Sequence, residues 1–373
     1  MTDFPQELLL PQKTIYKKDA VFELAAELKE YGSRGLIVHG RSFEEKGHKQ
    51  RIVKEFTSSL AVEFFCRQGG EPFLEEITAV IDSARSIGAG WIVGIGGGSV
   101  LDLAKAAAGL FHGKQKSAYY QQGGKLEEQG IPFIAVPTTA GTGAEATPNA
   151  VIIDSLRRVK LSIRDESFLA KKVILDVGLL KDLPLDVIRF SGMDALVQAY
   201  EAYISKNATW FSDCCVLKSF ELIYKNIIPA YFDKDEKSLS AMLLGSYLGG
   251  VAFQSARLGV VHGLAHPLGV LYQLPHGLIC AACLEPSIRL NKKAMGKKYA
   301  VLSRLSGGDF LKKVRQILSR LKIRSPFENK DLIEKEKIIA EALQSGSTAA
   351  NPKKIGRPDI EFMLGYLFNG SRR

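Results

Sequence analysis

The run Trp91-Ile-Val-Gly-Ile-Gly96 passes through Gly97-Gly98-Ser99 directly into Val100-Leu-Asp-Leu-Ala-Lys-Ala-Ala-Ala108. A short apolar strand, a glycine turn and an alanine-rich helix in immediate succession leave few choices of architecture. The strand must end at one edge of a buried sheet, and the helix must fold back over it. Glycines in such a turn let backbone N–H groups approach a phosphate, and the helix N-terminus adds a favourable dipole. The same turn can also be a plain tight connection. It is not the G-x-G-x-x-G fingerprint, because Ser99 takes the last position, and it lacks the lysine of a P-loop.

The texture repeats along the first half. Residues 35–39, 62–65, 133–136 and 173–176 read as short buried strands, and 21–31 and 74–87 as helices between them. Strands alternating with helices predict a parallel sheet with helical crossovers. Pro137-Thr-Thr-Ala-Gly-Thr-Gly-Ala-Glu145 places a second loop of hydroxyls and glycines after a strand, where ligands of parallel sheets bind. Two such loops on one sheet point to a nucleotide diphosphate. After Leu183-Pro184 the periodicity becomes helical and stays so to a last helix at 360–368. The expected fold class is therefore an α/β domain over residues 1–183 followed by an all-α domain over 184–373.

Composition narrows the function classes. The net charge of +10 is concentrated between Arg289 and Arg324, where twelve Lys/Arg stand against Asp309 alone. Leu311, Val314, Leu318 and Leu321 recur there at helical spacing, so the basic residues read as the wet face of an amphipathic helix rather than a nucleic-acid surface. No apolar run approaches the roughly 20 residues that cross a bilayer. The start, Met1-Thr-Asp-Phe-Pro-Gln-Glu7, lacks a signal peptide's basic and apolar parts. Five cysteines make no disulfide framework, and a cytoplasmic protein without nucleic-acid or membrane partners is expected. Cys280-Ala-Ala-Cys283 and Cys214-Cys215 read as buried core thiols.

Three of the six histidines, His262, His266 and His276, fall within fifteen residues. His262 and His266 would share a helix face, and Pro275-His276-Gly277 reads as a rigid turn presenting an imidazole. Histidine is the commonest metal ligand and a proton carrier near neutral pH; three unrelated histidines are the plainer alternative. Upstream, Gly192-Met-Asp-Ala-Leu196 reads as a helix start that puts Asp194 and Gln198 on one face.

With these residues the chain resembles the iron-containing (group III) alcohol dehydrogenase family over nearly its whole length. The likeness rests on GGGSVLDLAKA (96–106), PTTAGTGAEAT (137–147), GMDAL (192–196), VHGLAHPLG (261–269) and PHG (275–277). It implies a Rossmann-like dinucleotide-binding domain followed by a helical metal- and substrate-binding domain, the dehydroquinate-synthase-like architecture. It implies a metal-dependent oxidoreductase that interconverts an alcohol and an aldehyde or ketone by hydride transfer with NAD(P)(H), and a homodimer. Asp194, Gln198, His262 and His276 take the positions of the metal ligands. His266 takes that of the histidine near the nicotinamide that assists proton transfer, and His276 also counts among the catalytic residues. Gly97, Gly98, Ser99, Asp102, Thr138, Thr139, Thr142 and Lys160 match cofactor contacts.

Three departures from the family pattern carry expectations of their own. Gln198 stands where the usual ligand is histidine, and an amide oxygen is a poor donor to a borderline metal, which opens the choice between Fe²⁺ and Zn²⁺. Gly40-Arg41-Ser42 stands where NAD-using members place an aspartate, which favours NADP(H) over NAD(H). Arg257, five residues before His262, is placed to meet an anionic end of a small-molecule substrate. A dehydroquinate-synthase-like cyclase and a binding protein with a decayed metal site are the rival readings.

Overall fold

The structure is a computed structural model and describes residues 4–56 and 60–370. It divides into two compact units, Leu9–Asp182 and Leu183–Arg373 with Met1–Leu8. The first unit is built on a six-stranded sheet in which every pairing is parallel. Its strands are β1 (Lys13–Tyr16), β2 (Arg34–Gly40), β3 (Ala61–Arg67), β4 (Ile92–Gly96), β5 (Phe133–Pro137) and β8 (Lys172–Leu175), in the order β1-β8-β5-β4-β2-β3. A separate antiparallel hairpin, β6 (Asn149–Asp154) with β7 (Val159–Arg164), completes the β content of this unit among the described residues.

The central strands are apolar runs because both faces are covered. All five residues of β4 and all five of β5 are buried. Helix α1 (Leu74–Ser86) presents Leu74, Ile77, Val80, Ile81 and Ala84 at helical spacing, and these are its buried residues. Helix α2 (Gly98–Gly109) is buried from Val100 onward, and its alanines bring it close against the sheet. Because neighbouring strands are parallel, β2, β4 and β5 end on the same edge. Gly96 pairs with Pro137 and His39 with Ile95, so the segments that begin at Gly40, Gly97 and Thr138 emerge side by side. Strand order reverses around β4, and open α/β sheets commonly bind ligands at such an edge.

The second unit is helical. Helix α3 (Leu185–Ile204) is buried at every residue from Gly192 to Ile204, the signature of a helix surrounded by others. The long pair α4 (Trp210–Phe232) and α5 (Glu236–Ala256) follows, then α6 (Val260–Tyr272) and α7 (His276–Met295). The basic segment contains α8 (Phe310–Arg320), whose buried residues are Phe310, Val314 and Ile317. Its lysines and arginines are therefore the solvent face of an amphipathic helix. No helix among the described residues is long and apolar enough to cross a membrane.

Several local expectations need correction. Residues 21–31 are not one helix but 3₁₀ turns at Ala20–Glu23 and Lys29–Tyr31 around one turn of α-helix, Leu24–Leu28. Gly192 does not start a helix: α3 begins seven residues earlier, after Pro184, so Asp194 lies deep within it. Cys214 is exposed and Cys215 half-buried, because successive positions on a helix face different ways and α4 buries only one side.

Candidate active site

Three polar residues of α3 lie among the buried residues of that helix. Asp194, Gln198 and Glu201 follow one another at intervals of four and three, so they line a single face. All three are buried. Burying carboxylates is expensive unless charge or hydrogen bonds compensate, and here the partners come from α6 and α7. Glu201 accepts from the backbone N–H of Val261 at 2.6 Å and faces His262 Nδ1 at 2.7 Å. It thereby satisfies a free N–H at the start of α6 and orients the imidazole. An ionised carboxylate only accepts, so Nδ1 carries the proton and Nε2 is turned toward Asp194 Oδ1, 3.3 Å away.

His276 reaches the same point from α7. Rather than forming a rigid turn, it is the first residue of that helix, with Pro275 as the N-cap. Gly277 makes the approach feasible: a Cβ there would stand 2.1 Å from the Phe190 carbonyl oxygen of α3. His276 Nε2 lies 3.8 Å from Asp194 Oδ1. One turn further along α7, Cys280 brings its Sγ to 3.5 Å from His276 Nε2 and 3.9 Å from His262 Nε2. Asp194, His262, His276 and Cys280 each offer one atom, and these four atoms lie within 4.8 Å of one another. Cys280 is thus not a bystander in an apolar helix, as its sequence context implied. Its neighbour Cys283 is buried and is not one of the four clustered residues.

The electrostatics of the cluster favour positive charge. Burial alone would depress His262, but Cys280, Asp194 and Glu201 outweigh it and hold its pKa well above the ordinary histidine range. Burial works against ionised Asp194, yet His276 and His262 keep its carboxyl below the usual range. Burial pushes the Cys280 thiol up to about 12. Gln198 donates from Nε2 to Asp194 Oδ2 at 3.1 Å, and its Oε1 is buried without a protein hydrogen bond. Carboxylate, imidazoles and thiol converging on one point fit a divalent metal ion. His276 is the most exposed of the four, with 19% of its side chain accessible, and the His266 ring centres 5.6 Å from it. Arg257 does not share a helix with His262: α5 ends at Ala256, and Arg257 is an exposed residue with φ 64° before α6 begins at Val260.

In the sheet-bearing unit, the glycine turn and the threonine loop pack directly on each other. Cβ atoms built at Gly97 and Gly98 would lie 3.3 and 2.6 Å from the hydroxyls of Thr139 and Thr142. Gly97 is the N-cap of α2, so the first N–H groups of that helix open at this junction. Ser99, Thr138, Thr139 and Thr142 are half-buried around it. Arg67, at the end of β3 and almost wholly buried, reaches Ser99 Oγ at 3.3 Å and is held by Glu76. It escaped the sequence reading, because nothing in an alternating strand marks its last residue.

Asp102 accepts from the Val151 backbone N–H at 3.1 Å and faces Lys105 at 3.6 Å. Lys160 on β7 pairs with Glu71 at 2.9 Å. These two positions therefore already have protein partners. Glu145 is fully buried, and that burial raises its pKa to about 7. Gly40 caps a short helix, Arg41–Glu45, in which Arg41 and Ser42 are exposed.

Comparison with known proteins gives a consistent picture. The family model described as iron-containing alcohol dehydrogenase matches residues 11–177, and its C-terminal counterpart matches 189–367. The NAD-dependent methanol dehydrogenase of Bacillus methanolicus is 31% identical over 82% of this chain and 80% of its own. The sulfoacetaldehyde reductase of Bilophila wadsworthia is 31% identical over 80% of this chain and 78% of its own. Among solved structures, the sulfoacetaldehyde reductase of Bifidobacterium kashiwanohense in complex with NAD⁺ superposes with a TM-score of 0.90 at 25% identity, covering 100% of both chains.

Proposed function

The chain belongs to the iron-containing alcohol dehydrogenase family, and from that premise we propose that it is a metal-dependent oxidoreductase interconverting a small alcohol and its aldehyde or ketone with a nicotinamide cofactor. The observation that carries the reading is the convergence of Asp194, His262 and His276 on one buried point, with ring nitrogens 3.3 and 3.8 Å from one carboxylate oxygen. When bound, a divalent ion supplies Lewis acidity toward the substrate oxygen, and the nicotinamide carries the hydride. Asp194, His262 and His276 hold the ion, Glu201 keeps His262 in the required tautomer, and burial excludes water from the donor atoms. His266, adjacent to the most exposed ligand, carries the proton that enters or leaves the substrate oxygen.

The α2 N-terminus with Gly97, Gly98 and Ser99 receives the pyrophosphate, and the hydroxyls of Thr138, Thr139 and Thr142 complete its cradle. Asp102 and Lys160 support this edge through their ion pairs. Arg41 and Ser42, exposed at the end of the strand beside β4, receive a 2′-phosphate, so NADP(H) is the preferred cofactor; the methanol dehydrogenase and the NAD⁺ complex above mark NAD(H) as the alternative. An anionic aldehyde is the substrate class we favour, supported by the two sulfoacetaldehyde reductases. Arg257, exposed and outside the helix of His262, contributes only as a surface cation. The family resemblance supports a homodimer, and five free thiols fit a reducing cytoplasm.

The test is a screen of short neutral and anionic aldehydes against the metal-loaded protein, followed at the nicotinamide absorbance with NADH and NADPH in parallel. Turnover that requires added Zn²⁺ or Fe²⁺ is the expected result. Cofactor that stays bound without net oxidation would favour a cyclase, and a protein that binds neither metal nor nicotinamide would sink the enzymatic reading.

A further inference from the structure

We propose that Cys280 is a metal ligand, whose thiolate completes the donor set of Asp194, His262 and His276 and makes the site selective for zinc over iron. The metal-dependent reading above is the ground on which this rests. Zinc binds nitrogen or oxygen donors at about 2.05 Å and sulfur at about 2.3 Å, so the edges of a tetrahedral site are roughly 3.3 Å between nitrogen and oxygen and roughly 3.6 Å between nitrogen and sulfur. The observed edges are 3.3 and 3.8 Å from Asp194 Oδ1 to the two ring nitrogens, and 3.5 and 3.9 Å from Cys280 Sγ to the same nitrogens. Two of these four edges match the tetrahedral values and the other two exceed them by about 0.3–0.5 Å, with all four atoms within 4.8 Å of one another.

Gln198 is differently employed. Its Nε2–H is donated to Asp194 Oδ2, and an amide N–H has no lone pair to offer. It is a positioning residue that fixes the Asp194 carboxylate. Charge at the donor atoms is compatible with the same assignment. Asp194 and a Cys280 thiolate supply two negative charges directly to a dication, with the Glu201 carboxylate one residue further out behind His262, and the thiol proton passes to solvent as the sulfur–metal bond forms. His276 and Cys280, four apart on α7, make one rigid two-pronged clamp. Sulfur is the softest donor present, and among first-row dications it favours zinc over iron(II) beyond their ordinary order of affinity.

The experiment is titration of Co²⁺ into the metal-free full-length protein, read by absorption. An intense near-ultraviolet sulfur-to-cobalt charge-transfer band should grow to one equivalent together with visible ligand-field bands. Cys280→Ser should lose the charge-transfer band and keep the ligand-field bands, while Cys283→Ser keeps both. Zinc affinity of Cys280→Ser, from chelator competition, should fall by more than the roughly 10–100-fold that losing a residue behind a ligand costs. Ligand-field bands without a charge-transfer band in the unaltered protein would overturn the Cys280 assignment and leave the metal reading standing. The same holds for a band that survives Cys280→Ser and disappears in Cys283→Ser. Failure of the unaltered protein to bind cobalt or zinc at all would overturn both.

Discussion

Two buried carboxylates act at the residue scale, one by orienting a ring and the other by its own burial. Glu201 touches no donor atom of the proposed ion but fixes the ring that does, and it also satisfies the Val261 N–H. Glu201→Gln keeps the shape and removes the charge, freeing the imidazole to rotate or change tautomer. The expected outcome is a loss of about 10–100-fold in zinc affinity, measured by competition with a chromophoric chelator; unchanged affinity would make Glu201 a cap for α6 and nothing more. Glu145 acts through burial. Its pKa is raised from 4.5 to about 7, so between those values the folded chain holds a proton that the unfolded chain has released. Its favourable contribution is fully present below about 4.5 and declines as pH rises, until it is lost past about 7. Glu145→Gln should therefore flatten the fall in stability across that window, on the order of 1–3 kcal/mol, in denaturant melts at pH 5 and pH 8. Parallel pH profiles for the two proteins would show that Glu145 does not carry the dependence.

Elements set which of these residues could be seen in advance. Gly277 lies at a close contact between α7 and α3, and a methyl group there would meet the Phe190 carbonyl at 2.1 Å. Gly277→Ala should displace the start of α7, cost about 1–3 kcal/mol and weaken metal binding with it, as calorimetry and chelator competition would report; a native melt would mean that the two helices can part without loss. Gly40, by contrast, has room, since a Cβ there would lie 3.7 Å from Val100. Gly40→Asp should be tolerated and should move the ratio of kcat/KM from NADPH toward NADH, whereas an unmoved ratio would take Gly40 out of the ribose pocket. The interior strands were legible because both their faces are buried and the run is continuously apolar, as in Ile92–Gly96. The edge strand Lys13–Tyr16 and the hairpin strand Val159–Arg164 were not, because both are largely uncovered and carry Lys, Thr, Ser and Arg. The place of Cys280 depends on whether His276 opens a helix. Taken as a turn, Pro275-His276-Gly277 leaves the cysteine unplaced; as the first residue of α7, His276 puts Cys280 one turn away on its own face. Asp194, Gln198 and Glu201 share the same kind of spacing, but Glu201 departs from no pattern and so drew no notice.

At the scale of the whole molecule, the residues proposed for the two ligands fall in different units. The four metal donors and Glu201 all lie in Leu183–Arg373, and every position matched to the cofactor lies in Leu9–Asp182. A ligand that binds only the folded state adds about 2.7 kcal/mol at a concentration one hundred times its Kd, and amide exchange resolves where that gain is felt. Added Zn²⁺ should slow exchange along Gly192–Ile204, at the start of α6 from Val260, and from His276 to Glu285, because these segments carry the donors and the carboxylate behind them. Added NADPH should slow exchange at the turn 96–100 and along 138–147. The two patterns separate the readings that the sequence left open. If zinc protects no segment of the helical unit, the cluster is a buried polar network without a metal, and the decayed-site reading gains. If NADPH protects neither 96–100 nor 138–147, the glycine turn is a plain connection between β4 and α2. Protection at both sites, each by its own ligand, is the outcome required of an enzyme that brings a metal-held substrate and a nicotinamide into one reaction.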